Sequence, residues 1–224
     1  DADPLVVEEA ARAIHDDLGI PEALPALAAL LGEKPRSEVI TRRAINAGLR
    51  VGTPAAATRL LDFALDASSP REMRVEALTT LRLWKNPPRL DRVDGRGRTL
   101  HPAAIESELT SRMDPLLALT DTGLKALGIE IMIAHTLQAG AEQIAAIVTG
   151  KGTAAELRAQ ALRLLAGDQR GHPAFARTLD VALAADAPAP LHRAAMALLL
   201  PEFPARLISE ARTVLQQRSL GEKQ

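Results

Sequence analysis

The sequence predicts an all-α fold: an α-solenoid of about six helical hairpins, interrupted once by an insert of about 17 residues. Three observations predict it. Hydrophobic residues make up 47% of the 224 residues but aromatics only 2%, so the core is aliphatic and its alanines let helix axes approach closely. A nine-residue pattern with a small residue at its fifth position recurs along the chain. Outside one stretch, no window alternates polar and apolar residues with a period of two.

The windows, in order, are VVEEAARAI from Val6, ITRRAINAG from Ile40, MRVEALTTL from Met73, LKALGIEIM from Leu124, LRAQALRLL from Leu157 and LHRAAMALL from Leu191. Their fifth residues are Ala10, Ala44, Ala77, Gly128, Ala161 and Ala195, spaced by 34, 33, 51, 33 and 34. The long step is one period plus the insert. Positions 1, 5, 6 and 9 share one helical face, with the small residue where a neighbouring helix must come close. Companion helices are expected over Pro21–Leu31, Pro54–Asp66, Ala103–Leu119, Ala141–Thr149, Pro173–Asp186 and Pro204–Arg218. Several open on a proline, whose missing N–H costs nothing in the first turn. Gly19, Gly32, Gly52, Gly140 and Gly167 fall at expected helix ends. Two helices per period of about 33 residues give one continuous domain over 1–224, with the insert at 85–102.

The insert lies in WKNPPRLDRVDGRGRTLHP, Trp84 to Pro102. Pro87 and Pro88 forbid continuation of the preceding helix. Asp94-Gly95 between short flanks is a type I′ hairpin signal, and Gly97 weakens the second flank, so a short hairpin and an ordered loop are both open. The stretch carries a net +3 from Lys85, Arg89, Arg92, Arg96 and Arg98 against Asp91 and Asp94. One reading makes Trp84, Arg89, Asp91, Arg92, Arg96 and Arg98 the contacts of a protruding arm that binds an anion or a partner. The favoured reading has Trp84 and Leu90 anchoring the insert while neighbouring Arg and Asp side chains satisfy each other.

Among families with this period, tetratricopeptide repeats want aromatic residues that the chain lacks, and ankyrin repeats want a Thr-Pro-Leu-His motif that is absent. The windows instead resemble the second helix of HEAT-type repeats, which read roughly apolar-Arg-x-x-Ala-apolar. Arg74, Lys125, Arg158 and His192 stand at position 2. The resemblance spans nearly the whole chain and implies a right-handed α–α superhelix. The residues Trp84, Pro87, Pro88, Asp91, Arg92, Val93, Gly95 and Arg98 carry a second, more local resemblance. That stretch looks like the helical middle region of large, exported, membrane-bound-dehydrogenase-like proteins of the Planctomycetes–Verrucomicrobia group. There, HEAT-like repeats connect a sugar-dehydrogenase-type β-propeller to a haem domain with a Cys-x-x-Cys-His motif. This chain has no cysteine and no propeller strands, so the resemblance implies the connecting helical domain alone, without redox chemistry or cofactor. It also implies an exported, periplasmic or cell-envelope location.

The remaining composition narrows the chemistry. The formal net charge of −1 gives no global attraction to nucleic acid or anionic membrane. Without cysteine there is no disulfide, thiolate nucleophile or Cys-ligated zinc. No apolar run approaches the ~20 residues of a membrane span. The start, Asp-Ala-Asp-Pro, reads as that of an excised or processed segment. His15, His101, His135, His172 and His192 form no His-Glu-x-x-His motif and no i, i+4 pair, so no metal site is expected. TGKGT at 149–153 lacks the phosphate-loop spacing and reads as a turn, with Thr153 as N-cap and Glu156 completing a capping box. TDTGLK at 120–125 reads as a helix start. The acid pairs Glu8-Glu9, Asp16-Asp17 and Glu106/Glu108, and Glu130, are expected on solvated faces. No Gly-x-Ser-x-Gly elbow is present.

The position-2 row of Arg74, Lys125, Arg158 and His192 has two readings. It forms a ladder in which each cation meets a carboxylate or a helix C-terminal carbonyl of a neighbouring repeat, or it lines an anion-binding face; the first is favoured. The expected function is that of a non-catalytic scaffold binding proteins or neighbouring domains of its own polypeptide. The alternative is a HEAT-like DNA-binding or DNA-glycosylase-type enzyme, which needs a basic concave face and aromatics to hold an extruded base. A tetrapyrrole-lyase-type protein is less favoured still. Net charge and aromatic content both count against nucleic acid.

Overall fold

A computed structural model describes residues 3–17, 20–33, 37–137, 140–199, 208–213 and 215–216. The described residues are helical throughout their regular parts. Among them there is no strand, only one antiparallel bridge between Leu90 and Gly97. The chain's contacts gather into two compact units, Asp1–Gln138 and Ala139–Gln224.

The first unit holds α1 (Pro4–Asp16), α2 (Leu24–Ala29), α3 (Glu38–Val51), α4 (Pro54–Leu65), α5 (Arg71–Leu83), α6 (Glu106–Ser111), α7 (Met113–Leu117) and α8 (Thr122–Ala134). Helices α1, α3, α5 and α8, which carry the windows, pack each on the next; α2 and α4 form a second layer against them, α6 packs on α4, and α7 on α8. The second unit holds α9 (Ala141–Thr149), α10 (Ala155–Asp168), α11 (Pro173–Leu183) and α12 (Ala189–Leu199). Here α10 packs on α12 and α9 on α11, with α9 also against α10 and α11 against α12.

Local chemistry sets several helix starts. Asp3 accepts from Leu5 N–H at 2.9 Å ahead of Pro4. Thr53 caps α4 ahead of Pro54. Asp121 accepts from Gly123 and Leu124 N–H at the head of α8. Arg71 grips the same carboxyl and, with these N–H donors, holds it down at about 2. His172 Nδ1 accepts from Ala174 N–H at the head of α11.

The small residues sit where close packing needs them. Ala44, Ala77, Ala161 and Ala195 are buried, and a Cβ on Gly128 would lie 3.3 Å from Leu116 Cβ. The first window is the exception. Ala10 is exposed and Ala11 is buried among Leu27, Ala28, Ile40 and Ala47, so the repeat there begins at Val7, one residue later. That shift places His15 in the inward ninth position, which Leu81, Met132, Leu165 and Leu199 occupy in other windows.

Other boundaries move for identifiable reasons. Ala103–Leu119, expected as one helix, is two short ones broken at Arg112. Pro115 cannot donate to the carbonyl four residues back, and its ring crowds that carbonyl. The Pro21–Leu31 segment runs as a 3₁₀ turn, α2 and a second 3₁₀ turn. Thr153 is not an N-cap: its N–H donates to Gly150 C=O at 3.0 Å within the turn, and Ala154 precedes α10 without a side-chain cap. Gly167 lies inside α10 rather than beyond it. Gly19 and much of Pro204–Arg218 lie outside the described residues.

Candidate functional site

The site follows from how α5 ends. Trp84 caps α5 and is 1% exposed, and its Nε1–H donates to Ala103 C=O at 2.9 Å. Ala103 N–H in turn donates to Gly52 C=O at 2.8 Å, so the returning segment of the insert is pinned to the end of α3. Gly52 has φ +65, and a Cβ there would lie 2.9 Å from Pro102 Cα. Only glycine gives both the left-handed turn and the approach.

Between these anchors the insert folds as a short hairpin. Asp91 N–H donates to Arg96 C=O, and Arg98 N–H to Arg89 C=O. The loop is four residues, Arg92 to Gly95, with Gly95 alone at positive φ. It is therefore not the type I′ turn that Asp94-Gly95 suggests, which needs both central residues at positive φ. Asp91 shapes the loop instead: its Oδ1 accepts from Val93 and Asp94 N–H, and Asp94 Oδ1 accepts from Arg96 N–H.

The outer oxygens of these two aspartates meet Arg50, at the last turn of α3. Arg50 Nη2 lies 2.9 Å from Asp91 Oδ2 and 3.1 Å from Asp94 Oδ2, while Nε donates to Asp91 Oδ2 at 3.0 Å. Arg98 grips Asp94 with both terminal nitrogens, at 3.1 and 2.6 Å. The Arg50 and Asp91 side chains are 5% and 1% exposed, so this is a buried ion-pair cluster. Burial pushes Asp94 upward, but the Arg96 N–H and the guanidiniums of Arg98 and Arg50 outweigh it and hold the carboxyl below its ordinary value.

The cluster also gathers the end of α1. Arg50 donates to His15 C=O, and Arg96 to Asp16 C=O. The buried His15 ring has Nδ1 2.6 Å from Asp16 Oδ1 and Nε2 2.9 Å from Asn46 Oδ1 of α3. Arg43 holds the other Asp16 oxygen at 2.9 Å. Burial raises Asp16, and the bonds from Arg43 and His15 more than reverse it, leaving its carboxyl lowered. On the far side, Arg92 grips Glu76 of α5 through both carboxylate oxygens, at 3.1 and 2.8 Å.

The sequence-derived residues thus divide. Trp84, Asp91, Arg92, Arg96 and Arg98 are committed to holding the insert down; Arg89 faces solvent. Leu90, expected to anchor, is 64% exposed. Its place in the hairpin turns it away from the helices. Reading the sequence missed His15, Asp16, Asn46, Arg50 and Glu76. Arg50 ends a helix, where the dipole alone favours a cation, so its type and position did not mark it out.

Arg74 and Arg158 share one arrangement. Each Nε donates at 2.7 Å to the carbonyl ten residues upstream, Ala64 of α4 and Val148 of α9, one residue before that helix ends. Lys125 and His192 are half-buried and make no such bond among the described residues. Glu130 is partnered by Arg82 at 2.7 Å rather than freely solvated.

His15, Asp16 and Asp94 each bring a ligand atom within 4.8 Å of the others. They do not fit a metal ion, because Arg43, Arg50 and Arg98 already hold both carboxylates and would repel a cation. No helix among the described residues is long and apolar enough to cross a membrane. No family model matches the chain, and neither a curated protein nor a solved structure matches it significantly.

Proposed function

We propose that the chain is a non-catalytic, HEAT-like repeat domain that serves as a scaffold for proteins or for neighbouring domains of its own polypeptide. On this reading it is an internal module of a larger exported dehydrogenase- or cytochrome-like protein, and the repeats form a right-handed solenoid. The observation that carries it is the insert. A stretch that breaks the repeat is not left loose but fastened to α3 by the Arg50–Asp91–Asp94–Arg98 cluster, to α1 by Arg96 and to α5 by Arg92. Ordering a surface loop costs conformational entropy, and such order is kept where a fixed surface is presented. The paired Arg74 and Arg158 contacts support the repeat reading.

The test is calorimetric titration of the 224-residue chain with the domains encoded beside it in the full-length gene. Binding to a propeller-type or haem-binding neighbour supports the scaffold role. Salt-sensitive micromolar binding to short duplex DNA, with none to those domains, overturns it in favour of a nucleic-acid enzyme.

A further inference from the structure

Arg92 is held by Glu76, Arg96 by the Asp16 carbonyl and Arg98 by Asp94, and a different set faces outward. Leu90 is 64% exposed. Lys85 and Arg89 are exposed and meet no carboxylate among the described residues. The hairpin bonds run from Arg98 N–H to Arg89 C=O and from Asp91 N–H to Arg96 C=O. Leu90 and Gly97 are therefore its non-hydrogen-bonded pair, and the N–H and C=O of Leu90 point away from the opposing strand. A Cβ on Gly97 would meet nothing within 4 Å, so this end of the hairpin is open. A rigid edge with unused backbone groups is a template for another strand.

We propose that the edge at Arg89–Leu90–Asp91 docks an extended acidic segment of a protein partner. The segment pairs its backbone with Leu90, lays an apolar residue against the Leu90 side chain, and sets its carboxylates against Lys85 and Arg89. The inference rests on the protein-interaction reading above and names the partner's chemistry. A nucleic-acid strand shares the negative charge but has no peptide groups to pair with Leu90.

The experiment is a fluorescence anisotropy titration of the full chain with a labelled peptide alternating glutamate and valine. A lysine–valine peptide and a short DNA duplex serve as comparisons. The glutamate peptide is expected to bind and the lysine peptide not, with slowed hydrogen exchange at the Leu90 amide. Leu90→Asp, and Lys85→Glu combined with Arg89→Glu, are each expected to weaken binding by roughly tenfold or more. The charge-reversed double variant should gain the lysine peptide. All three residues are exposed, so unchanged circular dichroism and melting will show that the variants fold. Glutamate-peptide binding at full strength in both variants overturns the edge and leaves the protein-interaction reading standing. No peptide binding by the wild type also overturns the edge. Preference for the DNA duplex overturns the reading on which it rests.

Discussion

Two helical hairpins of this protein invite comparison, α4–α5 in the first unit and α9–α10 in the second. Both bury an alanine at the same window position, Ala77 and Ala161, and both carry an arginine that donates at 2.7 Å to the penultimate carbonyl of the preceding helix. They part only beyond their second helix. After α10 the chain turns briefly and enters α11 at Pro173. After α5 it makes the insert, whose charges reach back to α1, α3 and α5. The difference separates two ways of holding a chain. The hairpin frame rests on contacts local in sequence and mostly apolar, whereas the insert rests on ion pairs spanning 41 and 44 residues from Arg50 to Asp91 and Asp94.

The largest expected effect breaks the second kind. Asp91→Ala leaves the buried Arg50 without its main partner, and removing one member of a buried pair costs about 3–5 kcal/mol. Urea denaturation should show the midpoint fall with the helical content of the folded state unchanged. A loss no larger than that of an exposed substitution would mean the cluster does not hold the insert. The same cluster predicts a pH signature. Asp94 is lowered in the folded protein, so its contribution is present in full above the ordinary carboxylate value of 3.8 and disappears as pH falls through the lower folded value. The stability gap between wild type and Asp94→Asn should therefore be constant at neutral pH and close on acidification below that point.

Next in size is Gly52→Ala, at the place where the insert returns to the frame. The substitution meets both the left-handed backbone and Pro102, and the strain costs about 1–3 kcal/mol. Amide exchange at Ala103, which donates to Gly52 C=O, should accelerate more than exchange within α10. Equal acceleration at both would mean that Gly52 acts on global stability and not on docking.

The frame was legible in the sequence because aliphatic periodicity and small residues report packing within a few turns. Ala44, Ala77, Ala161 and Ala195 were all visible as recurring small sites, and only the first window slipped, where Ala10 and Ala11 are adjacent and equally small. The helix break at Arg112 is readable from Pro115, which cannot continue the hydrogen-bond ladder. The ion-pair cluster was half legible. Asp91, Asp94 and Arg98 stood out inside the insert, but nothing local tied them to Arg50 or Asp16, because charged residues at helix ends and in polar stretches are ordinary surface features. The expectation for Leu90 failed for a related reason: hydrophobicity alone does not say which side of a two-strand ladder faces the protein.

The paired arginines offer a sharper comparison at smaller cost. Arg74→Met and Arg158→Met each keep the stem and remove the donor to a helix-end carbonyl, a loss of about 1–3 kcal/mol where that carbonyl is left unmet. If the two hairpins are equivalent, the two variants lose the same amount within experimental error in thermal melts. A clear excess for Arg74→Met would mean that this residue also supports the insert through α5.

The smallest effect concerns a helix end with no insert on it. α3 ends on Gly52 in the left-handed region, and α8 ends with Thr136 at φ 53, the one non-glycine residue at positive φ among those described. Leu137 N–H to Met132 C=O at 2.9 Å and Thr136 N–H to Ile133 C=O at 3.1 Å close α8 in the way that normally selects glycine. Threonine is β-branched and strained there, yet it is exposed. Thr136→Gly should therefore stabilise, by about 1 kcal/mol once glycine's extra chain entropy is set against the relieved strain. A rise in melting temperature for Thr136→Gly, opposite in sign to the fall for Gly52→Ala, is the expected pair of results. If Thr136→Gly instead destabilises, the threonine side chain makes a contact that outweighs its backbone strain, and the two helix ends are not alike.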